Sequence, residues 1–146
     1  MLNIKEKPDR LLLFAAIALS LAFAFIPITR SDFQDKTMFG VPLGIFVWTI
    51  PLLLLTLWTL YLLTKRVLFS KGISLIHVLI TVFTTLLTAI IFYIAINPVQ
   101  VQSYHYFGPN SVEIIGNTTQ AMFFLFVFGQ FIFLMNVLLG LFKKIK

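Results

Sequence analysis

Four uninterrupted apolar runs limit what this chain can fold into: Leu11–Ile28, Leu43–Leu63, Ile73–Ile96 and Ala121–Phe142. Each is between 18 and 24 residues long, and none contains an acidic or basic residue. A helix rises about 1.5 Å per residue and a bilayer core is about 30 Å thick, so roughly 20 residues span it. The runs lack strict alternation, which favours helices over barrel strands. Only 11% of the residues are charged, against about 25% in a typical soluble domain. These are too few to cover a water-facing surface. The expected fold class is therefore all-α: an integral membrane four-helix bundle forming one domain over residues 1–146, with outer loops at 29–42 and 97–120. Pro51 lies inside the second run and removes one backbone hydrogen bond, so a bend is expected there.

The net charge of +6 does not indicate nucleic acid, because the basic residues sit in short clusters between apolar runs. Lys5, Lys7 and Arg10 precede the first run, Lys65, Arg66 and Lys71 follow the second, and Lys143, Lys144 and Lys146 follow the fourth. The other side carries only Arg30 and Lys36, beside Asp32, Asp35 and Glu113. By the positive-inside rule both termini are cytoplasmic, and the expected location is a bacterial inner membrane, crossed several times. The start of the chain also has the look of a signal peptide, with "AFA" at Ala22–Ala24 as a cleavage site. The apolar run continues through it to Ile28, so a retained helix is expected.

The loops differ. The Thr29–Pro42 connection is mixed in charge, whereas Asn97–Gln120 is long and polar, with "SYHYF" placed to lie along the outer headgroup level. Asn117 opens an "NTT" triplet that fits a glycosylation acceptor. Gly40-x-x-x-Gly44 matches a small-residue packing motif, with Pro42 inside it.

Chemistry in a membrane protein shows in polar groups within the apolar runs, because they are costly there. No charge is present in the runs, which argues against a proton pump, a coupled transporter or a pore built from this chain. Thr81, Thr84, Thr85 and Thr88 follow i, i+3, i+4, i+7 spacing and share one face of the third helix; Gln130 and Asn136 lie within the fourth. All six are expected at helix–helix contacts, with the hydroxyls bonded to their own backbone or across the interface. The chain has no Cys, which excludes disulfides, thiolate nucleophiles and Cys-held metals. His77 and His105 are the candidate heme or metal ligands, but a helix separates them by roughly 30 Å. Each is expected at a membrane interface instead. No Ser–His–Asp set and no Gly-rich phosphate loop can be drawn.

The order of features resembles the last four transmembrane helices of the large catalytic subunit of heme–copper oxidases. "DFQDKTMFGVP" (Asp32–Pro42) stands where that family has an outer His-Asp-Thr stretch leading to a His-Phe-His pair. "SKGISLIHVLI" (Ser70–Ile80) resembles the basic turn and the start of its next helix, and Glu113–Phe142 resembles its Phe-rich final helix. In the family the His-Asp supports a magnesium ion and the His pair ligates two hemes. Here those places hold Asp35 and Lys36, and Leu43 and Ile45. Aliphatic carbon offers iron no lone pair, so the resemblance implies a relative without the family's metals. Thr37, Phe39 and His77 match, and none of them carries redox chemistry.

The expected function is that of a non-catalytic accessory or assembly partner of a respiratory or other inner-membrane complex, holding no cofactor. Its partners would be membrane lipids and other integral subunits or further copies of itself, met through the Thr stripe and the Phe-rich fourth helix. The alternative is a lipid- or quinone-binding protein with a cavity between helices three and four, lined by the threonines, Gln130 and Asn136.

Overall fold

The computed structural model describes residues 6–25, 37–38, 41–96 and 111–145. They form four helices: α1 (Asp9–Phe25), α2 (Leu43–Thr64), α3 (Lys71–Ile96) and α4 (Ser111–Ile145). Two-residue strands β1 (Thr37–Met38) and β2 (Val41–Pro42) pair antiparallel just before α2, with Thr37 opposite Pro42. The pairing is too short to add a layer and lies within the expected connection over 29–42.

α1 opens on the residue after Pro8, whose fixed φ suits a helix start. Leu11 N–H donates to the Pro8 carbonyl at 3.0 Å, and Asp9 in the first turn faces the positive end of the helix dipole. Its buried face is Leu12, Ala15, Ala16, Leu19 and Phe23. The two alanines let α2 come close, and α1 packs mainly along α2. Phe23 meets Trp48 edge to face at 6.3 Å, pinning the end of α1 to the start of α2. α2 buries Ile50, Leu54, Leu57 and Tyr61 at alternating four- and three-residue steps. It continues helically through Pro51.

α3 packs mainly along α4. Along α4, the residues turned inward are Phe126, Gly129, Phe133, Asn136 and Gly140. Their 3-4-3-4 spacing is a coiled-coil seam. Glycine has a definite role at two of these positions. A Cβ on Gly129 would stand 3.1 Å from the Ile80 Cγ2 methyl. One on Gly140 would drive into the Val67 carbonyl oxygen and stand 2.8 Å from Phe69 N. The end of α4 thus lies directly on the α2–α3 turn.

The outward faces are apolar. On α3 they present Ile76, Leu79, Phe83, Leu86 and Ile90, and on α4 Phe124, Phe128, Phe131, Met135, Leu138 and Phe142. Two stretches are long and apolar enough to cross a membrane, Lys71–Ile91 and Asn117–Lys144. Among the described residues, α2's apolar stretch, Trp48–Thr64, and the 17-residue α1 are shorter.

The boundaries differ from expectation mainly at α4. It begins at Ser111 rather than Ala121 and takes in part of the expected 97–120 loop. Asn110 with Glu113 three residues on, ahead of an apolar run, is a helix-start pattern in the sequence. Asn117 is therefore helical rather than in a loop, which removes the extended backbone expected of a glycosylation acceptor. Residues 26–28, the "SYHYF" stretch, His105 and Gly40 lie outside the described residues.

Candidate functional site

The polar face of α3 begins earlier than the threonines. Ser74, His77, Thr81, Thr84 and Thr85 are all buried, and Thr88 is half-buried. They line the helix at three- and four-residue steps, so they share one side. This side is turned into the protein's own interior. The Thr stripe is therefore not a free surface for another subunit, which corrects that expectation.

The hydroxyls divide into two kinds. Thr84 donates to the carbonyls of Ile80 (2.8 Å) and Thr81 (3.0 Å), Thr85 to Thr81 (2.8 Å) and Val82 (3.0 Å), and Thr88 to Thr84 (2.8 Å). These bonds stay within α3. Thr81 instead reaches across: its Oγ1 lies 3.1 Å from His77 Nε2 and accepts from Gln130 Nε2 of α4 at 3.4 Å.

His77 is fully buried. Three helices supply its surroundings. Tyr61 of α2 contacts Nδ1 through its hydroxyl at 2.8 Å. Gln130 Oε1 lies 3.3 Å from Nε2. Gln130 Nε2 donates to the Phe126 carbonyl at 3.3 Å, which orients the amide so that Oε1 faces the imidazole. That orientation calls for the hydrogen on Nε2, leaving Nδ1 to accept from the Tyr61 hydroxyl. The Phe133 ring closes the group, 4.7 Å from Tyr61 and 5.2 Å from His77 between centroids.

A second group lies nearer the α2–α3 turn. Asn136, fully buried on α4, donates from Nδ2 to the Ser70 carbonyl (3.1 Å) and to Ser74 Oγ (2.8 Å). Its Oδ1 accepts from Ser70 N–H at 2.9 Å, and its own carbonyl accepts from Phe69 N–H at 3.2 Å. Ser74 Oγ donates in turn to the Ser70 carbonyl at 3.0 Å. The Tyr61 hydroxyl, which donates to His77 Nδ1, also lies 3.3 Å from the Ser74 carbonyl, so the two groups adjoin there. Among the described residues no buried side-chain nitrogen or oxygen lacks a hydrogen-bond partner.

Of the sequence candidates, the structure gathers Thr81, Gln130 and Asn136 around Tyr61, His77 and Ser74, and leaves Thr84, Thr85 and Thr88 along the rest of the α3 face. Of the polar side chains expected to line a cavity between α3 and α4, Thr81 and Gln130 meet each other, Asn136 bonds Ser70 and Ser74, and Thr84, Thr85 and Thr88 bond their own helix. Ser74 and His77 are legible as the continuation of the Thr periodicity toward the start of α3. Tyr61 has no comparable signal, because its role depends on how α2 packs.

The arrangement is a cross-link between helices, and it separates two substitutions. Tyr61→Phe leaves His77 Nδ1 without a donor and is expected to lower stability by about 1 kcal/mol. Thr84→Val with Thr85→Val removes only bonds within α3 and is expected to stay within about 0.5 kcal/mol of the wild type. Unfolding titrations in detergent micelles measure both. No family model matches the chain, and no curated protein or solved structure does either.

Proposed function

We propose that the chain is a non-catalytic multi-pass protein of a bacterial inner membrane, a four-helix bundle with both termini cytoplasmic. In this reading it serves as an accessory or assembly partner of a respiratory or other integral complex, as a small relative of the heme–copper oxidase core that lacks its ligands. The carrying observation is the division between inside and outside. Among the described residues the buried polar side chains are satisfied within the protein, by one another or by backbone, so the helices present chiefly apolar surface to their surroundings. The exposed hydroxyls fit this picture too. Thr56 donates to the Leu52 carbonyl (2.9 Å) and Thr59 to the Thr56 carbonyl (2.7 Å), so neither needs water. α4 is the least covered helix: 11% of its spanning stretch is buried, against 39% for α3. Its outward ridge, Phe124 to Phe142, is the surface a neighbouring membrane subunit would meet. His77, which matches the oxidase pattern, engages both ring nitrogens with Tyr61, Thr81 and Gln130, and neither remains for a metal. The same closure weighs against the lipid- or quinone-binding alternative, since a bound headgroup would have to break existing hydrogen bonds.

The absence of Cys makes the topology directly testable. Asn3→Cys, Lys144→Cys and Asn110→Cys are introduced singly and exposed to a membrane-impermeant maleimide in intact cells. Labelling is expected at 110 alone. Labelling at 3 or 144 would overturn the orientation. Purification in mild detergent then tests the partner reading: co-purifying integral subunits in fixed ratio support it, and an isolated chain carrying quinone overturns it.

A further inference from the structure

We propose that the end of the molecule where the α2–α3 turn meets the end of α4 binds the phosphate headgroup of an anionic phospholipid. Lys65, Arg66 and Lys71 would hold it from one side and Lys143 and Lys144 from the other. The inference rests on the membrane reading above and goes beyond it, because it assigns a ligand class and the residues that take it.

The five cations come from separate parts of the chain, and the fold brings them to one end. Gly140 lets α4 settle on the Val67 carbonyl, Phe69 N–H donates to the Asn136 carbonyl at 3.2 Å, and Lys143 Nζ lies 5.6 Å from the centre of the Phe69 ring. All five side chains are exposed. No acidic residue occurs between Asp35 and Glu113 or after Glu113, so neither the turn nor residues 114–146 supply an acidic side chain. Among the described residues none of the five forms an ion pair. An anion from outside the chain would complement them. The cations of α1 differ, since Lys7 and Arg10 are interleaved with Glu6 and Asp9.

The neighbours of the cluster select a lipid over a free anion. Leu63 (78% exposed), Phe69 (47%) and Phe142 (67%) flank the cations. They offer acyl chains an apolar surface directly beside the charge. Each Lys or Arg near an anionic headgroup adds a comparable increment of attraction, which salt screens.

The test uses the full chain in a mild zwitterionic detergent, titrated with dioleoyl phosphatidylglycerol, dioleoyl phosphatidylcholine or inorganic phosphate and read by native mass spectrometry. Phosphatidylglycerol is expected to bind at least about tenfold more tightly than phosphatidylcholine. The pairs K65Q/R66Q and K143Q/K144Q are each expected to weaken it roughly thirty-fold. K7Q/R10Q, removing the same charge from α1, should change it less than about threefold. Equal losses in all three pairs would mean diffuse charge and overturn the site, as would no preference between the two lipids or competition by inorganic phosphate at equal concentration. Alkaline washing of membranes keeps the failures apart. A chain released by the wash ends the membrane reading, whereas a retained chain that fails the lipid titration ends only this proposal.

Discussion

Gly140→Ala should destabilise the protein by about 3 kcal/mol, at the upper end of what overpacking costs. The added methyl meets backbone on the far side: the Val67 carbonyl oxygen, with the carbonyl carbon at 2.7 Å and Phe69 N at 2.8 Å. Backbone in a tight turn cannot rotate away as a side chain can, so the end of α4 has to lift. That movement should also break the bond from Phe69 N–H to the Asn136 carbonyl. Amide exchange at Phe69 should therefore quicken together with the loss in unfolding free energy. Gly129→Ala is the control, because its methyl would meet only side chains: Ile80 Cγ2 closely at 3.1 Å, and Ile80 Cβ and Thr81 Oγ1 at an ordinary 3.8 Å. It should cost less than about 1 kcal/mol. Equal effects at the two glycines would mean that the α4 end does not rest on the turn.

Asn136→Leu is expected to cost about 2 kcal/mol in the same measurement. The side chain is fully buried and makes three hydrogen bonds, two of them to the backbone of Ser70. Leucine fills the volume but leaves the Ser70 N–H without its acceptor, and an unmet group costs more than an absent bond. Single side-chain bonds between membrane helices average only about 0.6 kcal/mol. Ser74→Ala should accordingly cost about that much. A double-mutant cycle should show coupling between Asn136 and Ser74 of similar size. Additive losses would place Asn136 outside the network.

Much of this fold is legible in the sequence because an uncharged run of membrane length has few alternatives to a helix. The ends are harder. α4 starts about ten residues before its apolar run does, since the mixed stretch Ser111–Gln120 carries no continuous apolar signal. The cluster is half legible. Periodicity places Thr81, Thr84, Thr85 and Thr88 on one face, and one more turn back adds His77 and Ser74. Periodicity does not reveal which hydroxyls bond their own helix and which cross to another, because that is fixed by where α4 approaches. Nor does it reveal Tyr61. A tyrosine near the end of an apolar run is equally suited to the headgroup level, and only the packing of α2 against α3 turns it inward to His77. The two glycines show the same limit: their spacing along α4 is visible, but what each one touches is a tertiary fact.

The clasp between Ser70 and Asn136 has a bearing on how the chain is made. The two residues are 66 positions apart, so the α2–α3 turn leaves the ribosome well before the side chain that completes it. Until α4 inserts, the Ser70 amide and carbonyl have only water or local groups to satisfy them. The α1–α2 hairpin, by contrast, draws on neighbours already synthesised. Biogenesis should run in two steps, an early hairpin and a late closure. A nascent chain arrested before Asn136 emerges should then hold α3 loosely and be the form most open to proteolysis.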